Sequence, residues 1–393
     1  MDTVILKFGG SSVADNIKLN VVAEKIINLK KEVKNIVAVV SAQGKTTDKL
    51  IKDANGLSAI PEQREMDMLL SIGEQETASK LSILLNRMGH KTVALSGWQA
   101  GIYTNKIHGS AKIEKIYTGR IKKELEKGNI VIVAGFQGIN ENGDITTLGR
   151  GGSDTTAVAL QAALGADKSY IFSDVDGIYS ADPNMTTLAK KLDEISFNEM
   201  QEIADAGAKV LHNRCIQIGE KFNCDIELAS TFKEVKGTSV CKCIETAEVK
   251  NIILNDKLID IEIINNKNYK KEDGYRLYKE LLNNNIIVES YKKIEKGFSF
   301  RINQADINMV QDIFERKFED YNLNQIKINK LTIVGYGIIQ DNTILNKVIN
   351  ILENNKVEVF DINLSQNKIE AILNRIDKET IEELHSNLIV GGN

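Results

Sequence analysis

The sequence predicts an α/β protein: a mainly parallel sheet with helices on both faces, followed by two smaller modules of β-α-β-β-α-β order. Three observations lead there. Over residues 1–240, short Val/Ile-rich runs alternate with longer stretches of helical periodicity. Most of the 28 glycines and both prolines, Pro61 and Pro183, fall in that part. From about Glu245 the chain is instead rich in Asn, Ile, Lys and Glu, and it repeats itself at an offset of roughly 70 residues.

In chain order, Thr3–Phe8, Asn35–Val40, Lys91–Leu95, Asn129–Ala134 and Lys168–Phe172 read as buried strands. Ile17–Lys31, Gln63–Met88, Ser110–Glu126 and Ser153–Leu164 space apolar residues as helices do, and Ile195–Ala206, Lys209–Lys221 and Cys224–Leu228 continue the alternation. In the second part, Lys257–Ile264 and Lys330–Val334 open the two copies as strands, followed by helices Gly274–Asn283 and Thr343–Glu353. Strands Asn284–Glu289 and Asn354–Val359 come next, then Gly297–Ile302 and Lys368–Leu373. A helix and a last strand complete each copy, Ala305–Phe318 with Gln325–Ile328 and Lys378–Leu384 with Asn387–Val390. That order is the ferredoxin-like topology.

Composition excludes several classes of function. Hydrophobic residues make up 42% and charged residues 26%, so a folded globular chain is expected. The net charge of −4 offers no basic excess for nucleic acid. Apolar runs such as Asn129–Ala134 are too short to span a bilayer, and the N-terminus lacks signal-peptide character, so a cytoplasmic protein without membrane or nucleic-acid partners is expected. Cys215, Cys224, Cys241 and Cys243 lack metal-knuckle spacing and read as reduced thiols, and no protein metal site is expected.

Glycine-rich turns carry the chemistry. Lys7-Phe8-Gly9-Gly10-Ser11-Ser12 leaves the first strand; paired glycines let N–H groups close on a phosphate and Lys7 adds a charge, although an ordinary turn explains a bare Gly-Gly equally well. Gly44-Lys45-Thr46-Thr47 imitates the end of a P-loop, but Val39 stands where its first glycine belongs. The strongest signal is Thr146-Thr147-Leu148-Gly149-Arg150-Gly151-Gly152-Ser153-Asp154. Three glycines, an arginine fork and a Ser/Asp helix cap suit an anion, and a flexible turn would leave Arg150 unexplained. The acidic stretch Ser173–Asp182 follows another strand and suits a nucleoside once an anion site lies nearby. Glu74, after Gly73 in a long helix, reads by itself as a surface residue.

These segments, with Ser71–Glu74, Gly135–Gly138 and Gly207–His212, resemble the aspartate kinases of the amino-acid kinase family across residues 1–240. The C-terminal repeat, 249–393, resembles their tandem ACT regulatory modules, approximately 257–325 and 326–393, the second also drawing on 249–256 if one module is inserted in the other. The resemblance implies transfer of the ATP γ-phosphoryl group to the side-chain carboxylate of L-aspartate, the first step toward lysine, threonine, methionine and diaminopimelate, with Mg²⁺ accompanying ATP.

Residue by residue, it implies that Lys7 stabilises the transferring phosphoryl group and Asp154 orients Lys7. Arg150 would fork onto the substrate α-carboxylate and Glu74 would pair with the α-ammonium, while Ser41, Thr47, Gly151, Gly152 and Ser153 complete the aspartate site. Phe8, Gly9, Gly10, Ser173, Asp174, Tyr179, Asp182 and Lys209 match nucleotide positions. It further implies a homo-oligomer joined through the ACT modules and an amino-acid effector, either lysine, threonine or diaminopimelate. His212-Asn213 replaces the family's His-Pro, and the ligand loop Asn265–Gly274 keeps little beyond Asp273-Gly274. A kinase with another carboxylate acceptor, or a silent amino-acid sensor, are the competing expectations.

Overall fold

The computed structural model describes residues 2–208, 210–242, 248–264, 271–284, 286–318, 321–340 and 342–390. The chain forms two compact units, Met1–Tyr179 with Lys190–Glu245, and Ser180–Ala189 with Thr246–Asn393. Among the described residues no helix is long and apolar enough to cross a membrane.

The first unit is built on an eight-stranded sheet. Its order is Glu194–Ser196, Thr238–Cys241, Ile226–Ser230, Lys168–Ser173, Thr3–Phe8, Asn35–Val40, Ile130–Ala134, Thr92–Leu95. All neighbours run parallel except Ile226–Ser230 against Thr238–Cys241. The central strands are apolar on both faces because helices cover both, and Val4, Leu6, Val22, Ile26, Leu81, Leu85 and Ile132 share one core. Thr3–Phe8 pairs with Asn35–Val40 on one side and Lys168–Ser173 on the other, so its C-terminal end opens at the sheet's middle, where α/β folds bind ligands.

Two expectations are corrected in this unit, and one helix is new. Gln63–Met88 is two helices, Gln63–Leu70 and Ile72–Arg87. The break falls at Ser71, whose carbonyl accepts from the side-chain amides of Gln75 (3.1 Å) and Gln137 (2.9 Å). Within Ser110–Glu126, residues Ile113–Ile116 form a strand against Ile102–Thr104 in a second, four-stranded sheet, and only Gly119–Glu126 is helical. The helix Thr46–Leu57, of which Ala54 alone is buried, was not expected.

The second unit carries a six-stranded sheet, antiparallel throughout, ordered Ser290–Ile294, Gly297–Asn303, Asn251–Ile264, Asn322–Val334, Lys368–Leu373, Val359–Ser365. Two long strands run through both modules. Gln325–Ile328 and Lys330–Val334, expected as separate strands, are one, as are 251–255 and 258–264. Two cores result. Ile259, Ile261 and Ile263 pack with Phe298, Phe300 and Phe314, whereas Val249 and Ile252 pack with Leu331, Ile333 and Leu352.

The strands expected at Asn284–Glu289 and Asn354–Val359 lie later, at Ser290–Ile294 and Val359–Ser365. Ser386–Val390 is a π-helical turn rather than a strand, because Asn251–Asn255 already occupies the sheet position beside Lys330–Val334. The excursion Ser180–Ala189 joins this unit through an Ala181–Ile252 bridge, an Ile252 N–H donated to the Ser180 carbonyl at 2.8 Å, and a Ser180 Oγ–His385 Nε2 hydrogen bond of 2.8 Å. These features are a mainly parallel, helix-covered sheet followed in the chain by two helix-backed antiparallel modules that share one sheet.

Candidate active site

Lys7 is the single charged residue of the strand Thr3–Phe8, otherwise apolar from Val4 onward, and it lies near the strand's open end. Burial of a lysine needs a partner, and Asp154 supplies it: Nζ and Oδ1 are 2.6 Å apart. Asp154 stands in the first turn of the Gly152–Leu164 helix, where the helix dipole favours negative charge. Neither it nor Ser153 is the cap expected from the sequence; Gly151 holds that position with φ of 66° and no side-chain cap. The amides of Ser153 and Asp154 have no partner among the described residues, which leaves two donors at the helix start.

Lys7 and Asp154 border a cavity of about 700 Å³. Ser41, Thr47, Glu74, Arg150, Gly151, Gly152 and Ser153 line it as well, so every residue expected on the aspartate side shares one space. Glu74 departs from its solitary reading as a surface residue: it is 4% exposed. Gly73 makes this burial possible, since a Cβ there would fall 2.7 Å from that of Ala42. The close approach lets the Ala42 N–H donate to Glu74 Oε1 at 3.1 Å, while Oε2 is buried with no hydrogen-bond partner among the described residues. Desolvation pushes the Glu74 carboxyl up to about 7, against the pull of the Ala42 amide. Arg150 is exposed to the cavity, with no hydrogen bond or ion pair to any described residue.

The nucleotide-side residues lie elsewhere. Phe8 is fully buried and stacks on Phe172 at 5.0 Å, so its side chain belongs to the core. The Gly9 N–H donates to the Phe172 carbonyl at 3.3 Å, extending the ladder, which leaves the amides of Gly10 and Ser11 as the unpartnered donors of this turn among the described residues. Ser173 ends the neighbouring strand, and its Oγ accepts from the Val175 N–H at 3.3 Å. Asp174 is exposed, and the Tyr179 hydroxyl donates to Asp176 Oδ1 at 3.0 Å. Asp182 belongs to the second unit, where its carboxylate accepts from the Asn184 backbone and side-chain amides at 2.8 and 2.9 Å. Lys209 lies outside the described residues, as does most of the Asn265–Gly274 loop.

Sequence reasoning missed Asp67 and His108, and it met Phe136 and Thr147 only within the Gly135–Gly138 and Thr146–Asp154 motifs, without a role of their own. Asp67, Phe136 and Thr147 line the cavity, and His108 bonds to Asp67. Phe136 adopts φ of 70°, a left-handed conformation that a bulky residue rarely takes, beside the glycine-rich loop. Its only sequence sign was the Gly135–Gly138 motif.

A family model described as the amino acid kinase family matches residues 2–230. An aspartokinase of Geobacillus stearothermophilus is 37% identical over 394 residues, covering 98% of this chain and 97% of that protein. Aspartokinase 2 of Bacillus subtilis is 37% identical over 398 residues, with 98% and 97% covered. Among solved structures, E. coli aspartokinase III in complex with lysine and aspartate (T-state) superposes with a TM-score of 0.81 at 22% identity, covering 98% of this chain and 99% of that one. The chain thus belongs to the amino acid kinase family and, within it, to the aspartokinases.

Proposed function

We propose that the chain transfers the γ-phosphoryl group of ATP to the side-chain carboxylate of L-aspartate, giving ADP and 4-phospho-L-aspartate. The observation that carries this reading is the charge pattern of one cavity. A buried Glu74 with one oxygen unpaired and an Arg150 without a polar partner, both among the described residues, suit the ammonium and α-carboxylate of an amino acid, and Lys7 stands where the strand end meets the Gly9-Gly10 turn.

The acceptor carboxylate is ionised at pH 7, so the reaction needs no general base. It needs charge relief and in-line geometry. In this reading Lys7 neutralises charge that grows on the transferring phosphoryl group, with the Gly10 and Ser11 amides beside it. Asp154 holds the Lys7 ammonium in place. Arg150 forks onto the α-carboxylate, and Ser41, Thr47 and the Gly151–Ser153 backbone close around the rest. Ser173, Asp174 and Tyr179 flank the nucleoside, and Asp182 and Lys209 are assigned to the nucleotide on the family's pattern.

The described residues contain no group of three or more His, Cys, Asp or Glu side chains able to hold a metal. Mg²⁺, when present, would be brought by the phosphates of ATP and would supply charge neutralisation there, beside Lys7. The second unit is read as the ACT regulatory region, binding an amino-acid effector (lysine, threonine or diaminopimelate) and joining copies of the chain in a cytoplasmic homo-oligomer. ADP release from MgATP with aspartate, glutamate, acetylglutamate, carbamate or UMP, each with and without those three effectors, tests the assignment. Turnover with aspartate alone supports it, and turnover with a different acceptor only would overturn it.

A further inference from the structure

Two charged side chains that the reaction above does not use grip the glycine-rich loop from separate elements. Asp67, on the Gln63–Leu70 helix, is 1% exposed. Its Oδ1 accepts from the Thr147 hydroxyl and from the Gly109 N–H at 3.0 Å. Its Oδ2 accepts from the same N–H at 3.1 Å and meets His108 Nδ1 at 2.8 Å. Arg214, on the Asn213–Phe222 helix, donates through Nη1 to the Leu148 carbonyl and through Nη2 to the Ala111 carbonyl at 2.7 Å.

These contacts bind the same two strips of chain. The Ala111 N–H donates to the Thr147 carbonyl at 2.8 Å, so 108–111 runs beside 147–148, tied to a carboxylate through 108, 109 and 147 and to a guanidinium through 111 and 148. Immediately afterwards Gly149 turns with φ of 76°, and a Cβ there would fall 3.0 Å from the Gly109 carbonyl oxygen. Arg150 follows. Having no polar partner among the described residues, its guanidinium owes its place to the backbone that carries it. A buried carboxylate is costly unless its acceptor sites are filled, and here every contact that fills them belongs to this one loop pair.

We propose that Asp67 and Arg214 are positioning residues, which fix residues 147–150 so that the Arg150 guanidinium meets the α-carboxylate of the acceptor. The proposal rests on the reading of Arg150 as the carboxylate fork. Neither side chain touches the reacting atoms. Their effect is therefore on acceptor binding, transmitted through Arg150.

The test is a set of double-mutant cycles on the full chain, reading the aspartate KM, the MgATP KM and thermal melting. Asp67→Ala and Arg214→Ala are each expected to raise the aspartate KM about tenfold, with the MgATP KM changed less than about twofold. Combined with Arg150→Ala, each should add less than about twofold more, because the fork they position is gone. Asp67→Asn should recover most of the loss: its oxygen still accepts from Thr147 and Gly109, and its amide can donate to His108 in the other tautomer. Arg214→Lys should not, since one ammonium cannot span two carbonyls as the planar fork does.

Independent, multiplicative effects in the Arg150→Ala background, equal rises in both KM values, or no rescue by Asp67→Asn would overturn the proposal. If the alanine variants do not fold, Arg214→Lys and Thr147→Val, each cycled against Arg150→Ala, carry the same comparison with smaller effects. An unchanged aspartate KM in Arg150→Ala alone would instead overturn the underlying reading of Arg150. An elevated one with additive cycles would overturn the positioning role only.

Discussion

Lys7 Nζ lies 2.6 Å from Asp154 Oδ1, joining the end of a central strand to the first turn of the Gly152–Leu164 helix. The contact is a charge pair, and Asp154 Oδ1 has no aligned hydrogen bond among the described residues. An ammonium held this way is already buried and charge-paired before a phosphate arrives, so little reorganisation accompanies the reaction.

Lys7→Ala is expected to lower kcat by roughly 10²–10³, the range for removing one preorganised charge from a developing anion. The aspartate KM should change less than about threefold, because the charge acts mainly in the transition state. Rapid-quench measurement of the phosphoryl-transfer step checks this; an unchanged rate would remove Lys7 from the chemistry.

Arg150→Ala should act in the opposite sense. Loss of a bidentate carboxylate contact, a charge-assisted pair, is expected to raise the aspartate KM by about 10- to 100-fold with kcat reduced much less. Steady-state kinetics at saturating MgATP separates the two parameters.

Glu74 gives the site a pH dependence. With its carboxyl raised to about 7 by burial, the free enzyme loses the anion that pairs with the substrate ammonium as pH falls below 7. The kcat/KM for aspartate should therefore drop with an apparent pKa near 7, and Glu74→Gln should lower the plateau and remove that limb. Stability runs the other way. A raised folded-state pKa contributes stability that is fully present below the ordinary value of 4.5 and lost as pH rises through 7. Glu74→Gln should thus melt above the parent at pH 8, with the gap closing toward pH 4.5. Parallel melting curves at every pH would refute the assignment.

Gly151→Ala probes the loop itself. A Cβ there would sit 2.2 Å from the His212 ring, and φ of 66° is unfavourable for any L side chain. A destabilisation of about 1–3 kcal/mol is expected, together with a raised aspartate KM as Arg150 shifts. Denaturant melts with matched kinetics check both effects, and a variant indistinguishable from the parent would show that the loop tolerates movement.

Thr3–Phe8, Asn35–Val40 and Ile130–Ala134 were legible because each is rich in Val and Ile and buried on both faces, a pattern with one reading once helices alternate with it. Arg150 and Gly151–Ser153 were legible in the glycine-rich motif, whereas Ser41, Thr47 and Glu74 were expected only through the family resemblance; the cavity gathers them all. Other features depend on tertiary contacts. Ile113 and Ile116 are three apart, which suits a helix, yet pairing with Ile102–Thr104 makes that stretch a strand. Ser386–Val390 lost its expected sheet position to residues 251–255, more than 130 positions earlier in the chain. Asp67 looks like a solvated helix residue until His108, Gly109 and Thr147 are seen to converge on it from 41 to 80 residues away.

The most direct measurement is to trap the product. An acyl phosphate on the side-chain carboxylate reacts with hydroxylamine to give the β-hydroxamate of aspartate, which chromatography distinguishes from the α isomer. Incubation of the full chain with MgATP, L-aspartate and hydroxylamine should yield β-hydroxamate in equal amount to ADP, and neither in Lys7→Ala on the same timescale. ADP without hydroxamate, or no product from folded protein that binds MgATP, would contradict the assignment of aspartate as the phosphoryl acceptor.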